Sequence, residues 1–306
     1  MLQINAPAFA MLVKNRYHSQ FMSSELYTSA VKQLFQQGDP DLIQDWSSYL
    51  ALGITAKHID ELAKIAIDRS LLESEEGSGW ASIHAWRTLG VLSVAAGEAA
   101  VLPLIAVLQQ LSGDEQAVDF DEIPDFDWVS EELPLVFGHI GRMALPALQA
   151  CLGDAQASNR TRENVVVSIA EIGRADGDLR LDCLTILTQQ LEKFDDNTPD
   201  FNGFLVMVLV GTLRAVESAA TIEQAFLADR VTSDLVQNWD EAQVFLGLKE
   251  APDYRNQLSE SLTSPLKPDN IKAIDKVPFY STAPKSKAQA KRKTQNQSRK
   301  KNRPKK

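Results

Sequence analysis

The sequence predicts an all-α protein built from successive pairs of helices. Apolar residues recur at helical spacing through almost every segment between residues 23 and 250, and no stretch alternates with period two strongly enough to indicate a sheet. Of the 306 residues, 44% are hydrophobic and 24% are charged, which is typical of a globular chain. An elongated repeat array also escapes the size limit of a single core, which rarely grows beyond about 250–300 residues.

Three helices are predicted before residue 73. The first ends at Gly38, the second begins with Asp39 as N-cap and Pro40 in its first turn, and the third is capped by Thr55. An acidic loop at residues 73–79 follows them. The expected buried stripes are Tyr27, Val31, Leu34 and Phe35 in the first helix, Ile43, Trp46 and Leu50 in the second, and Ile59, Leu62, Ala63 and Ala66 in the third.

From residue 80 onward the helices fall into self-similar pairs. The clearest unit is Phe137–Leu148, FGHIGRMALPAL, whose glycines are predicted to permit a tight turn between two helices and whose Pro146 suits the first turn of the second. The same pattern recurs in three weaker copies. The small residues that mark the four copies, Gly90, Gly138, Ala170 and Gly211, are 48, 32 and 41 residues apart, which brackets the period of about 40–47 residues of HEAT-type helix pairs.

Residues Phe137–Leu148 resemble the A-L-G-x-I-G-x-x-x-A-L-P-x-L signature of the PBS-lyase HEAT-like repeat family. The likeness covers about residues 80–230 and implies an α-solenoid of HEAT-like helical hairpins. It also implies a role in docking partners, in chaperoning chromophores onto phycobiliproteins, or in modifying other chains. The signature encodes helix packing, so it specifies fold well and function poorly. Some bacterial proteins that this chain as a whole resembles end in a cysteine-rich metal-binding module. This chain has a cysteine-free basic tail instead, so the resemblance implies no metal role.

Charge divides the chain into two unlike parts. Residues 285–306 hold 11 Lys and Arg and no acid, which leaves residues 1–284 with 20 basic and 41 acidic residues, a net charge of −21. Because so acidic a body repels phosphates, nucleic-acid binding is expected only through the tail, which reads as a disordered polycation. The candidate polyanion-binding residues are Lys291, Arg292, Lys293, Arg299, Lys300, Lys301 and Arg303.

The ends of the predicted solenoid are set by composition. The helical pattern covers residues 23–250, and residues 251–284 form a proline-containing linker to the tail. Residues 1–22 are an unpatterned N-terminal extension, in which Met22 is a hypothetical alternative translation start.

The sequence contains no recognisable catalytic or metal-binding set. The four histidines show neither the i, i+4 spacing nor the H-E-x-x-H pattern that places two ligands on one helix face. Cys151 and Cys183 are too few for a disulfide framework and are expected to be buried thiols. We therefore expect no catalytic residue, no metal and no cofactor, and we favour a non-enzymatic role.

Candidate partner-binding residues lie in and beside an acidic insertion at residues 112–127. The insertion lacks EF-hand spacing, which favours a solvated loop over a cation site; its interleaved aromatic residues indicate either a partner contact or local cover for the helices. For the tryptophans and for His84, which lies between two of them, packing at repeat junctions is favoured over a ligand contact. The candidate set is Trp80, His84, Trp86, Asp119, Phe120, Asp121, Glu122, Phe126 and Trp128.

Together these features predict a cytoplasmic, non-catalytic binding or assembly scaffold whose acidic surface holds a basic or extended protein partner. No membrane partner is expected, because the longest apolar run, Phe204–Leu213, is shorter than the ~20 residues of a spanning helix. The resemblance alone supports an alternative, a chromophore chaperone or enzyme of the phycobilin-lyase type. Two further alternatives are an RNA- or ribosome-associated factor that acts through the tail, and a tail that folds back on the acidic body.

Overall fold

The structure is a computed structural model that describes residues 27–72, 80–111 and 128–250. Within these ranges every regular element is a helix, and the predicted all-α class is confirmed. The acidic loop at residues 73–79, the insertion at residues 112–127, the N-terminal extension, the linker and the tail lie outside the described residues.

Twelve α-helices, several of them extended by 3₁₀ turns, follow one another through the described ranges. They are α1 Ser29–Lys32, α2 Ile59–Ala66, α3 Arg69–Leu72, α4 Trp80–Ala96, α5 Glu98–Leu111, α6 Trp128–Ile140, α7 Leu145–Leu152, α8 Asn159–Ala175, α9 Arg180–Leu191, α10 Pro199–Met207, α11 Ala219–Leu227 and α12 Trp239–Leu246. The 3₁₀ segments are Gln33–Gln36, Pro40–Leu42, Trp46–Leu52, Ala56–His58, Gly141–Ala144, Gly177–Leu179 and Val216–Ser218, and Val208–Thr212 is a π-helical turn.

Side-chain caps explain where several later helices begin. The side chains of Ser158, Thr198 and Asn238 each accept a hydrogen bond from the backbone N–H three residues further on. This contact satisfies one of the donors that the first turn of a helix leaves unpaired. Pro199 follows its cap directly, at a position where a missing N–H costs no helical hydrogen bond.

The prediction of one α-helix after Asp39 is wrong. Two 3₁₀ segments, Pro40–Leu42 and Trp46–Leu52, occupy this part of the chain. Asp39 and Asp45 each accept a hydrogen bond from the backbone N–H two residues further on. Such local hydrogen bonds compete with those of a continuous helix. The backbone is therefore extended at Asp45, and a new helical segment begins at Trp46.

The altered pitch also changes which side chain is buried. Leu50, expected in the buried stripe, is 40% exposed, whereas Tyr49 is 1% exposed. A 3₁₀ helix has three residues per turn, so the i, i+3, i+7 stripe expected of an α-helix does not stay on one face. The stripe predicted for the third helix is confirmed, since Ile59, Leu62, Ala63 and Ala66 are all buried in α2.

Two series of helices contact one another in chain order. In one series α4 packs on α6, α6 packs most extensively on α8, and α8 packs on α10. In the other series α2 contacts α5, α5 contacts α7, α7 contacts α9, and α9 contacts α11. The buried apolar side chains of both series form one continuous cluster that extends from Tyr27 to Leu246.

Two of the repeat glycines lie where helices of the first series approach closely. A Cβ on Gly90 would lie 3.0 Å from Cγ1 of Val136, and a Cβ on Gly138 would lie 2.9 Å from Cγ of Glu171. Both positions therefore serve helix packing, and the tight turn predicted for this unit depends on Gly141 alone, which has a φ of +68°. As predicted, Pro146 lies in the first turn of α7.

One stretch of the described residues, Trp128–Leu152, is long and apolar enough to cross a membrane by length and composition, with a mean hydropathy of 1.3. The chain turns within it at Gly141, between α6 and α7, and α6 is packed between α4 and α8. Core helices of soluble proteins pass the same test of length and composition. The cytoplasmic location stays a prediction.

Candidate binding groove

An open groove of about 980 Å³ lies where the 3₁₀ segment that begins at Trp46 meets the carboxyl ends of α6 and α8. Backbone carbonyls at the end of a helix carry partial negative charge, so the position itself favours cations. The groove is lined by residues 44–47 and 138–142 together with Val91, Leu135, Glu171, Ala175, Asp176, Asp178 and Leu179.

Three carboxylates of the groove have no cationic partner among the residues that the structure describes. In the described part of the chain, no Lys or Arg nitrogen lies within 4.0 Å of the carboxylate oxygens of Asp45, Asp176 or Asp178. All three side chains are exposed, and the hydrogen bonds that Ser47 donates lower the pKa of Asp45, which keeps it ionised. Within the described residues, the negative charge of these carboxylates is therefore uncompensated.

The other charged groups of the groove are paired. Both carboxylate oxygens of Glu171 accept hydrogen bonds from Arg174, at 2.6 and 2.7 Å. Arg142 donates to Asp182 at 2.6 Å, so its charge is balanced at the edge of the groove. The uncompensated charge of the lining is consequently negative.

Trp46 forms an aromatic wall whose position is set by a buried ion pair. The guanidinium carbon of Arg87 lies 5.0 Å from the Trp46 ring centroid, and the His139 ring centroid lies 5.2 Å away. Arg87 is 5% exposed and donates from Nε to Oε1 of Glu132 at 2.5 Å and from a terminal nitrogen to the backbone carbonyl of Pro40. Side chains from α4 and α6 thus fix one wall of the groove.

His84 lies in the core beside this wall. Its Nε2 is 2.9 Å from the carbonyl oxygen of Gly38, and its Nδ1 is 2.7 Å from the hydroxyl of Tyr49. A carbonyl only accepts, so Nε2 carries the proton and Nδ1 accepts from Tyr49. Burial lowers the pKa of His84 to about 4, which keeps the ring neutral. The expectation that His84 is packed and hydrogen-bonded is confirmed.

This burial predicts a pH dependence of stability. An unfolded histidine has a pKa near 6.5 and folded His84 has a pKa of about 4, so between these values the unfolded chain binds more protons. The contribution of His84 is therefore complete above pH 6.5 and is lost as the pH falls towards 4. Between pH 7.5 and pH 5 we expect a loss of about 2 kcal/mol from this residue. Urea unfolding of the wild type and of His84→Gln measures it, and equal pH slopes for the two would contradict the assignment.

Of the residues proposed from sequence, the structure brings two together and buries two others. The rings of Trp80 and Trp128, at the starts of α4 and α6, are T-shaped with centroids 5.1 Å apart. His84 and Trp86 are fully buried, and the indole N–H of Trp86 donates to the carbonyl of Ala66. Neither ring is exposed to an external protein partner, so the proposal of these two residues as a partner contact is wrong. Asp119, Phe120, Asp121, Glu122, Phe126 and the tail residues Lys291, Arg292, Lys293, Arg299, Lys300, Lys301 and Arg303 lie outside the described residues.

The described residues offer no reactive thiol and no metal site. Burial raises the pKa of Cys151 to about 12 and that of Cys183 to about 11, so both thiols stay protonated at neutral pH. Nowhere in ranges 27–72, 80–111 and 128–250 do three or more His, Cys, Asp or Glu side chains come together as metal ligands would.

Sequence reasoning missed the groove itself. Aspartate is a residue type that favours helix starts, and this is the only local signal that Asp45 and Asp176 carry. Both do cap 3₁₀ segments. Their meeting with His139 brings together three segments that are far apart in the chain.

No protein-family model, no curated protein and no solved structure matches this chain. The groove and the chemistry of its lining are therefore the basis for a functional proposal.

Proposed function

We propose that the protein is a non-catalytic binding scaffold whose groove holds a basic, extended segment of a protein partner. The observation that carries this proposal is the presence of three exposed carboxylates, Asp45, Asp176 and Asp178, without cationic partners in the described part of the chain, around an aromatic and apolar lining. Aromatic and apolar side chains beside these carboxylates allow a bound segment to make packing contacts as well as charge contacts, which an acidic surface without such side chains does not offer.

The proposal includes the arrangement of the helices as an α-solenoid of HEAT-like hairpins. Its support is that both series of helix contacts run in chain order, and that Gly90 and Gly138 lie between successive helices of one series. In a solenoid each repeat packs on its neighbours, so stability accumulates along the array while a continuous surface stays open to partners.

The lining suits lysine and arginine side chains. Their aliphatic stems pack on apolar groups such as Leu135, Ile140 and Leu179, while their charged ends reach carboxylates. The volume lies at the upper end of the range for ligand pockets, about 300–1,000 Å³, which is enough for a few residues of extended chain. The indole of Trp46 offers a further contact for an aliphatic stem.

We expect that neutralising the three carboxylates weakens binding of a basic peptide about tenfold at low salt, since each exposed charge pair contributes roughly 0.2–1 kcal/mol. The variant Asp45→Asn/Asp176→Asn/Asp178→Asn keeps side chains that cap helix starts, so the fold is retained. The affinity is measured by fluorescence anisotropy with a labelled 12-residue Lys-Ala peptide, in full-length chains whose 11 Lys and Arg of residues 285–306 are replaced by Gln so that no cation of the tail competes. The difference should shrink as salt screens the charges.

A matched control separates the groove from the overall field of the body. The variant Glu192→Gln/Asp196→Asn/Asp234→Asn removes the same charge from exposed residues outside the groove. In the same Gln-substituted background, we expect this control to bind the peptide as tightly as the chain with the intact groove. Equal losses in the two variants, or no loss in either, would refute the groove as the binding site.

The RNA-binding and chromophore-handling functions stay proposals with less support. The 11 cations of residues 285–306 support binding of RNA through the tail. The role in handling chromophores rests on the resemblance of Phe137–Leu148 alone. The contacts of the described residues favour the scaffold, because the groove that they form is acidic.

A further inference from the structure

We propose that the chain's own basic tail, residues 285–306, occupies the groove and competes there with the external partner. This inference rests on the proposed function, because it assumes that the groove accepts a basic, extended segment. It adds a regulatory role, because the tail and the external partner compete for one groove and whatever binds the tail leaves the groove to the partner.

Charge complementarity favours the tail as the occupant. The tail carries 11 positive charges and no negative one, whereas residues 1–284 carry a net charge of −21. Asp45, Asp176 and Asp178 are exposed carboxylates without cationic partners in the described part of the chain. The best-matched polycation available to them at all times is the one on the same molecule.

The composition of the tail also fits an open groove of limited volume. Residues 285–293, KSKAQAKRK, place cations next to small or polar side chains, with no aromatic or large aliphatic residue. A segment of this kind lies along the lining without a bulky group to accommodate. Its long cationic side chains supply the stems that pack on the apolar lining residues.

The connection between body and tail is long enough. The last described residue is Glu250, and residues 251–284 provide 34 residues of chain before the tail begins. Fully extended, such a length spans about 110 Å at 3.3 Å per residue. The longer series of packed helices, α2, α5, α7, α9 and α11, measures only about 50 Å at a spacing of 8–10 Å per helix. The connection is therefore long enough for the tail to reach the groove.

Tethering makes this competition effective. A segment on the same chain is present at an effective concentration that reaches millimolar values for flexible connections. When the tail and an external peptide each bind with a dissociation constant of about 10–100 μM, a millimolar effective concentration lowers the apparent affinity of the peptide by about one to two orders of magnitude. By the same linkage, a polyanion that binds the tail frees the groove.

The experiment compares full-length chains that differ only in charge. In a tail-neutral chain all 11 Lys and Arg of residues 285–306 are replaced by Gln. The probe is a labelled synthetic peptide of residues 285–306, titrated into each chain at about 50 mM salt. We expect the tail-neutral chain to bind this peptide at least tenfold more tightly than the wild type. Adding the groove triple Asp45→Asn/Asp176→Asn/Asp178→Asn should remove that gain, and adding the control triple Glu192→Gln/Asp196→Asn/Asp234→Asn should preserve it.

The outcomes separate this inference from the proposed function. If the wild type and the tail-neutral chain bind the peptide equally, and the groove triple weakens both, the groove binds basic segments but the tail does not occupy it. If the groove triple has no effect in either chain, both the inference and the proposed function are wrong.

A second measurement uses a 20-nucleotide single-stranded RNA as the probe for a free tail. We expect the wild-type tail to bind RNA less tightly than the tail of the groove triple, because the intact groove competes for it. The control triple changes the body charge equally, so it corrects for the general field. Equal RNA affinities for the groove triple and the control triple would overturn the inference.

Discussion

Gly203→Ala is expected to lower the free energy of unfolding by about 3 kcal/mol or more, a large effect for the addition of a single methyl group. A Cβ on Gly203 would lie 1.7 Å from the carbonyl oxygen and 2.6 Å from the carbonyl carbon of Thr232. These are backbone atoms, which cannot rotate away as a side chain does. The segment after α11 must therefore move off α10, or α10 must shift.

Either movement breaks a buried hydrogen-bond network. Thr232 donates its backbone N–H to the carbonyl of Pro199 at 3.0 Å. The side-chain amide of Asn202 donates to the carbonyls of Phe194 and Arg230, at 2.9 and 2.7 Å. Asn202 is fully buried, so the loss of these partners leaves polar groups unpaired in the core, at about 1–3 kcal/mol each.

Urea unfolding followed by circular dichroism measures the effect, and Gly177→Ala is the matched control. A Cβ on Gly177 would meet no atom within 4 Å, and its φ is not left-handed. We expect the control to stay within about 0.5 kcal/mol of the wild type. Equal stabilities of the two variants would show that the chain at Thr232 does not pack on α10.

Arg87→Met is expected to destabilise the protein by about 3–5 kcal/mol, because it leaves the carboxylate of Glu132 buried without its cation. Arg87 and Glu132 are 5% and 6% exposed, and the Pro40 carbonyl loses its donor in the same step. Because Arg87 also supports the Trp46 ring, we expect this variant to bind the Lys-Ala peptide more weakly even where it is folded.

The double variant Arg87→Met/Glu132→Leu tests the physical cause. It removes both charges, so most of the lost stability should return, since replacing a buried ion pair by apolar side chains is often neutral or stabilising. The comparison is a double-mutant cycle in urea unfolding. If the double variant is as unstable as the sum of the single variants, shape rather than charge accounts for the loss. Peptide affinity should remain reduced in the double variant, because the support beneath Trp46 is still missing.

Local sequence patterns predicted the features that depend on neighbours along the chain. The helices from residue 80 onward, the buried stripe of α2, the place of Pro146 and the turn at Gly141 all follow from period, proline and glycine signals within a few residues. The burial of Cys151 and Cys183 followed from their places on apolar stripes. The one helix that was predicted wrongly, after Asp39, also has a local cause. The side chain of Asp45 caps a new segment there, so two 3₁₀ segments form in place of the predicted helix.

By itself, then, the sequence determined an all-α chain with an acidic body and a basic tail, since periodicity and net charge are sums over residues that need no coordinates. Only the tertiary structure decided which groups meet. Arg87 and Glu132 are 45 residues apart and pair only because α4 packs on α6. Asp45, His139 and Asp176 line one groove because the ends of α6 and α8 lie beside the Trp46 segment. Whether a carboxylate is paired or open to a ligand depends on atoms brought near it by helix packing, which local spacing along the chain does not encode.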